Sequence, residues 1–174
     1  LTYGKEHVSL ASIGDMAGRC ITVNGFSKAY AMTGWRLGYA VAPPEIIREM
    51  SKVQQHTVSH PTTFAMYGGV AALVGDQSCV EIMRKEFRKR RDFLVAELRL
   101  MGFFVAPADG AFYAYVRVDG DDVDVARRWL EKGRVAVTPG SAFNTPGWER
   151  ISYATSMERL EDAVARIRVC QRTS

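Results

Sequence analysis

The stretch Val23–Tyr39, VNGFSKAYAMTGWRLGY, decides how the rest of the chain is interpreted. The run Cys20–Val23, which leads into this stretch, is apolar and partly β-branched. Such a run is typical of a buried strand, and Asn24-Gly25 breaks that strand. The pattern therefore predicts that Lys28 lies on a loop at the end of a strand. A second strand is predicted over Arg36–Val41.

This loop carries a hydroxyl group and two cations within a few residues. A lysine amine is a nucleophile only when it is neutral, and burial beside another cation favours that state. Arg36 presents a planar fork that matches phosphate oxygens, and the Ser27 hydroxyl adds a further hydrogen-bond donor. Together, these three side chains indicate a site at which Lys28 condenses with an aldehyde while a phosphate is held nearby.

Residues 27–39, SKAYAMTGWRLGY, resemble the cofactor-lysine motif of the pyridoxal-phosphate (PLP) aminotransferases of fold type I, in the aspartate and aromatic aminotransferase branch. The resemblance implies that Lys28 is the catalytic residue and forms a Schiff base with PLP. It implies that Ser27 and Arg36 hold the cofactor phosphate. It also implies a homodimer that moves an amino group between an L-amino acid, aspartate first, and a 2-oxo acid by a ping-pong mechanism. The scattered cysteines favour a reducing compartment, so the expected location is cytoplasmic.

Two segments downstream resemble the small-domain signature of the same family. They are TPGSAF at 138–143 and ERISYA at 149–154. The resemblance implies that Arg150 clamps the substrate α-carboxylate, for which a bidentate guanidinium is better suited than an ammonium group. Asn144 stands where the family pattern leads us to expect glycine, and asparagine tolerates positive φ better than most residues.

The segment Gly110–Tyr113, GAFY, resembles the family's turn at the mouth of the active site. Gly110 is expected to let the backbone approach the substrate. Phe112 or Tyr113 is expected to form a wall of the site, and because these aromatic residues alternate along a strand, at least one of them must belong to the core. The predicted substrate-binding residues are thus Arg150, Gly110 and Phe112.

Two other functions remain open from the sequence. One is a different fold type I PLP enzyme, a β-lyase or a ring-forming synthase, which product analysis would distinguish from an aminotransferase. The other is a non-catalytic domain, including the aminotransferase-like portion of a transcription regulator, which the sequence before Leu1 would reveal.

The predicted fold combines α/β and α+β architecture, and the resemblance implies the C-terminal part of the PLP-dependent transferase fold. We expect the end of the large cofactor-binding domain over residues 1–75, an interdomain helix over 76–102 and a small C-terminal domain over 103–174. Ser78 with Glu81 fits a capping box, and Asp122 is a candidate cap. Predicted helices cover 44–55, 62–74, 78–102, 123–132 and 157–170, and predicted strands in the small domain cover 103–106, 111–118, 134–138 and 150–154.

Composition excludes several classes of protein. The 174 residues are 47% hydrophobic and 24% charged, with no apolar run long enough to span a membrane. The three scattered cysteines support neither a disulfide framework nor a zinc site, and the three histidines have no metal-ligand spacing. The net charge of +4 comes partly from a basic cluster at 84–91, which we interpret as a solvated helix face rather than a nucleic-acid site.

The length also leads us to expect a fragment. Members of the resembling family are about twice as long, and their N-terminal half supplies the acidic partner of the pyridine nitrogen, the stacking aromatic and a glycine-rich phosphate loop. We therefore expect that this chain alone has no competent site and carries no PLP. The small-residue segment 62–74 is a candidate for part of a homodimer interface, with an ordinary buried helix as the alternative.

Overall fold

The computed structural model describes residues 1–172, which form two units. One unit is Glu6–Ile82, and the other combines Leu1–Lys5 with the chain from Met83 onward. The predicted domain boundaries stay a prediction. The helices are α1 (Pro44–Thr57), α2 (Thr63–Val74), α3 (Ser78–Leu100), α4 (Asp122–Glu131) and α5 (Met157–Arg172), and the strands are β1 (Thr22–Gly25), β2 (Gly38–Val41), β3 (Tyr113–Arg117), β4 (Thr138–Pro139) and β5 (Trp148–Ser152). No helix between residues 1 and 172 is both long and apolar enough to cross a membrane.

In the Glu6–Ile82 unit, β1 and β2 form an antiparallel ribbon. A strand before Lys28 is therefore present, but it covers Thr22–Gly25, so the prediction that Asn24-Gly25 breaks it is wrong. The prediction that this strand is buried is also wrong for the structure described. Val23 is 72% exposed and Val41 is 59% exposed. The apolar run specifies an extended backbone, whereas burial requires a covering layer, and the ribbon has none among the described residues.

Helix α2 packs closely against the loop between β1 and β2 through two adjacent glycines. A Cβ atom on Gly69 would lie 2.5 Å from Leu37 Cδ2, and one on Gly68 would lie 2.5 Å from the Trp35 ring. Phe26, Met32 and Leu37 form the buried cluster inside the loop. The small residues that predicted close packing of this helix are thus used against the loop that carries Lys28.

The second unit is built on a three-stranded antiparallel sheet of order β3-β5-β4. One sheet face is buried through Ala114, Val116 and Ile151, and it joins a core cluster with α3, α4 and α5. The residues that alternate with them, such as Tyr113 and Arg150, lie on the opposite, half-exposed face. This arrangement confirms the prediction of a small α+β unit with helices on one face of its sheet.

The strands predicted for this unit differ in extent from those observed. Residues 103–106 form only an isolated bridge, between Val105 and Val116. The strand predicted over 134–138 begins only at Thr138, because Arg134 has a φ of 56° and turns the chain out of the extended conformation. β5 conversely begins at Trp148, two residues before the predicted start.

Two helix caps also differ from the prediction. The cap of α4 is Asp121, whose side chain accepts a hydrogen bond from the Asp124 N–H at 3.0 Å, whereas Asp122 is the first helical residue. At the start of α3, Asp76 accepts a hydrogen bond from the Ser78 N–H, so Ser78 lies inside the first turn rather than at a capping-box position. In both cases an aspartate one or two positions earlier in the chain reaches the exposed N–H groups.

Candidate functional site

Lys28 lies in a turn immediately after β1, where the sequence predicts it. The turn is fixed by backbone hydrogen bonds around the buried residue Phe26. The Phe26 N–H donates to the Leu37 carbonyl at 3.2 Å, and the Tyr30 N–H donates to the Phe26 carbonyl at 3.3 Å. The Lys28 side chain is exposed and the preceding Ser27 is half-buried.

Arg36 has a left-handed backbone conformation with a φ of 51°, so it cannot begin the second strand as predicted, and β2 starts at Gly38. Its Nη1 atom donates to the Thr33 carbonyl at 3.0 Å. The guanidinium lines a cavity of about 540 Å³ together with Trp35 and His60. This is the one hydrogen bond of the Arg36 side chain within residues 1–172, and because a guanidinium has five N–H donors, most of them remain available for an anion.

Arg150 lies on the half-exposed face of the sheet in the second unit, in contact with two aromatic rings. Its Cζ atom is 4.4 Å from the centroid of the Tyr113 ring and 4.3 Å from that of the Phe143 ring. Within residues 1–172, no hydrogen bond or ion pair involves the Arg150 side chain. The guanidinium is therefore in contact with two aromatic rings, and its N–H groups remain available.

The loop that carries Phe143 is anchored from α4. Gly140–Phe143 form a short 3-10 helix, and the Ser141 N–H donates to the buried Asp122 carboxylate at 2.6 Å. This hydrogen bond is the main reason why the pKa of Asp122 lies below its ordinary value. Asn144 ends the helix with a φ of 57°, a left-handed conformation that asparagine tolerates better than most residues.

Glu149, next to Arg150, points to the opposite face of the sheet and is fully buried. Within residues 1–172, neither of its carboxyl oxygens accepts a hydrogen bond of ordinary geometry, although the backbone of Ala126 partly opposes the rise in its pKa. Burial, and then the negative charge of Asp122, raise the pKa of Glu149 to about 7. Sequence reasoning missed this residue, although its alternation with Ile151 would have indicated the buried face.

Gly110 and Phe112 have close neighbours within their own unit. Gly110 bridges to Thr2, and a Cβ atom on it would lie 2.8 Å from the Leu1 carbonyl oxygen. Phe112 stacks on Phe87 with ring centroids 5.7 Å apart. These contacts give both residues a packing role, and their contact with a substrate stays a prediction.

The structure thus carries two groups of candidate residues, one in each unit. Ser27, Lys28 and Arg36 share one loop of Glu6–Ile82, while Arg150 lies on the sheet of the other unit. The sequence interpretation assigned no function to Phe143, although its place in the TPGSAF segment, seven residues before Arg150, was the available signal. No group of three or more His, Cys, Asp or Glu side chains in the described part of the chain could hold a metal ion.

The family model described as "Aminotransferase class I and II" matches residues 2–167. The chain belongs to this aminotransferase family. The chain is 42% identical over 167 residues to the aspartate aminotransferase of Thermotoga maritima, a match that covers 96% of this chain and 44% of that protein.

Solved structures agree with this assignment. An aromatic aminotransferase from Pyrococcus horikoshii superposes with a TM-score of 0.94 at 41% identity, over 99% of this chain and 48% of that one. An aspartate aminotransferase from Thermus thermophilus with maleate gives a TM-score of 0.92 at 38% identity, over 97% of this chain and 45% of that one. The predicted family and fold are therefore confirmed, and the chain spans less than half the length of each of these proteins.

Proposed function

We propose that the full-length protein containing this chain is a PLP-dependent aminotransferase. It would transfer an amino group between an L-amino acid and a 2-oxo acid in two half-reactions. The observation that carries the proposal is that one loop, in a chain of the aminotransferase family, holds an amine, a hydroxyl and a guanidinium within ten residues.

The donors on this loop suit PLP. The Ser27 hydroxyl and the Arg36 guanidinium are donors of the kind that phosphate oxygens accept, and Lys28 offers an amine to an aldehyde. When bound, PLP supplies an aldehyde for condensation with amines and a ring that accepts electrons. Lys28 would first hold the cofactor and then act as the base that takes the proton from the substrate Cα.

Arg150 would bind the α-carboxylate of the substrate. Its available N–H groups can pair with both carboxylate oxygens at once, which fixes the plane of the carboxylate as well as its position. A fixed carboxylate orients the Cα–H bond for removal of its proton and disfavours cleavage of other bonds at Cα. The same residue would serve both half-reactions, because the amino acid and the oxo acid both carry this carboxylate.

We propose aspartate as the first substrate and aromatic amino acids as the second. Similarity to an aspartate aminotransferase and to an aromatic aminotransferase supports these two classes of substrate. A homodimer, to which α2 would contribute, is proposed from the family resemblance, and a cytoplasmic location is proposed from the scattered cysteines. Absence of a competent site in the isolated chain stays a prediction.

The substitution Lys28→Ala in the full-length protein tests the function. We expect the turnover of aspartate with 2-oxoglutarate to fall by about 1,000-fold or more. The reason is that Lys28 would be both the covalent anchor of the cofactor and the base, and the substitution removes both. Measurement of 2-oxo acid formation separates transamination from the elimination products of a β-lyase.

Lys52→Ala is the matched control, since Lys52 is an exposed lysine of the same unit that pairs with Glu49 at 2.7 Å. It should leave turnover unchanged. Near-normal transamination by the Lys28→Ala protein would refute the assignment of Lys28, and a wild-type protein without amino-group transfer would refute the proposed function.

A further inference from the structure

We propose that Tyr113 and Phe143 are positioning residues that hold the guanidinium of Arg150 between their rings, so that its N–H edge is the part offered to a carboxylate. This inference rests on the proposed function, because it assigns a task to two residues around the proposed carboxylate site. It adds specific partners for Arg150, which the family assignment does not provide.

The two rings reach Arg150 from opposite sides of its strand. In the sheet, β5 is the central strand, with β3 on one side and β4 on the other. Tyr113 belongs to β3, and Phe143 ends the 3-10 helix that follows β4. Their ring centroids lie 4.4 and 4.3 Å from Arg150 Cζ, well within the range of a cation–π contact.

Contacts on the faces of a guanidinium leave its donors unused. The N–H bonds lie in the plane of the group, so stacked rings do not compete with a carboxylate for them. No hydrogen bond or ion pair of Arg150 occurs in the described part of the chain. The Arg150 side chain therefore keeps its fork of N–H donors available for bidentate pairing.

Stacking also lowers the entropic cost of binding. A free arginine side chain samples many rotamers, and fixing it on a ligand costs affinity. Two rings that fix the guanidinium beforehand remove part of this cost. We expect a contribution of about two- to fivefold in affinity from each ring, which is the size of a partly exposed cation–π contact.

The Phe143 ring is itself held by a well-anchored loop. The Ser141 N–H donates a hydrogen bond to the Asp122 carboxylate, and the Thr145 N–H donates to the backbone carbonyl of Gly140 at 3.0 Å. The Thr145 hydroxyl also makes a hydrogen bond with Tyr115 of β3. Because both ends of the short helix are tied to neighbouring elements, Phe143 can act as a fixed surface rather than a mobile one.

The test uses the full-length protein and maleate, an unreactive dicarboxylate, as the probe. Calorimetry gives the Kd of maleate for the wild type, Phe143→Leu and Tyr113→Leu, where leucine keeps apolar volume but removes the ring face. We expect Kd to rise about two- to fivefold in each leucine variant. Phe143→Tyr and Tyr113→Phe, which keep the ring, should bind maleate like the wild type.

Steady-state kinetics provide a second readout. The leucine variants should raise KM for the amino acid and the oxo acid by a similar factor while kcat changes less than about twofold, because Arg150 is used for binding in both half-reactions. Phe104→Leu is the matched control: it removes an exposed aromatic ring of the same unit that contacts Trp148. It should change neither Kd nor KM.

The outcomes separate the two proposals. Wild-type Kd and KM in both leucine variants would overturn the role of the rings while leaving the aminotransferase assignment intact. A wild-type protein that binds maleate without transferring amino groups would overturn the proposed function, and the variant Kd values would still decide the role of the rings. If one leucine variant does not fold, the other decides, since each ring is replaced independently.

Discussion

At the scale of single residues, Glu149 combines a buried position with an ionisable side chain. The alternation of β5 places it on the core face with Ile151, where its carboxyl oxygens accept no hydrogen bond of ordinary geometry from the described residues. Burial and the nearby Asp122 raise its pKa to about 7 from an ordinary value of 4.5. The folded protein therefore binds this proton more tightly than the unfolded chain does.

This difference predicts how stability depends on pH. The stability linked to the Glu149 proton is fully present below about pH 4.5 and is lost as the pH rises through about 7. We expect the free energy of unfolding to decrease between pH 5 and pH 8 by an amount on the order of 3 kcal/mol. Glu149→Gln should remove most of this dependence, as measured by urea unfolding at a series of pH values.

Glu161→Gln, at an exposed position of α5, is the control and should retain the wild-type pH dependence. Asp122 does not produce the same effect. Its pKa is lowered, so the stability it contributes is lost only at acidic pH. A Glu149→Gln protein with an unchanged slope between pH 5 and pH 8 would contradict this account of Glu149.

At the scale of elements, the β1–β2 ribbon depends on the absence of a side chain at one position. Gly38 pairs with Gly25 in the register of the two strands. A Cβ atom on Gly38 would lie 2.9 Å from the Asn24 carbonyl oxygen, a backbone atom that cannot move without shifting the strand. A Cβ atom on Gly25 would meet its nearest neighbour at an ordinary distance of 4.0 Å.

We therefore expect Gly38→Ala to destabilise the protein by about 1–3 kcal/mol, the usual cost of forcing extra volume into a closely packed place. The measurement is the urea midpoint of the full-length protein. Gly25→Ala is the matched control on the partner strand and should leave the midpoint unchanged. Equal midpoints for the two variants would show that the ribbon relaxes around the added methyl group.

At the scale of the whole molecule, the two units differ in how much core each contains. Among the described residues, the cluster in Glu6–Ile82 has three buried hydrophobic side chains, Phe26, Met32 and Leu37, whereas the cluster in the other unit has seventeen. A two-stranded ribbon by itself is marginally stable in water. The stability of the chain is therefore expected to be uneven.

Hydrogen exchange of the 174-residue chain tests this expectation. The amides of β1 and β2 should exchange faster than those of β3 and β5, because opening the ribbon exposes little additional apolar surface. Amides that pair the central strand β5 should be the slowest in the sheet, since both of its edges are bonded. Equal protection of the two sheets would contradict the unequal distribution of core.

The sequence by itself determined the features that depend on local pattern. Helices α1 and α2 follow from their apolar or small-residue composition and from Pro44 at the first helical position. A strand before Lys28 follows from the apolar run that ends at Val23, although Asn24-Gly25 form the last two residues of β1 rather than breaking it, and the family follows from the motif around that lysine. These features are encoded within short stretches, so they can be derived without knowing what packs on them.

Only the tertiary structure decided the features that depend on distant neighbours. It showed that β1 is exposed, that Phe143 and Tyr113 contact Arg150, and that Glu149 is buried near Asp122. Each of these facts joins segments that are far apart in the chain or depends on the layer that covers them. The physical reason is that burial, stacking and charge interaction act through space, whereas the residue pattern specifies mainly the local backbone.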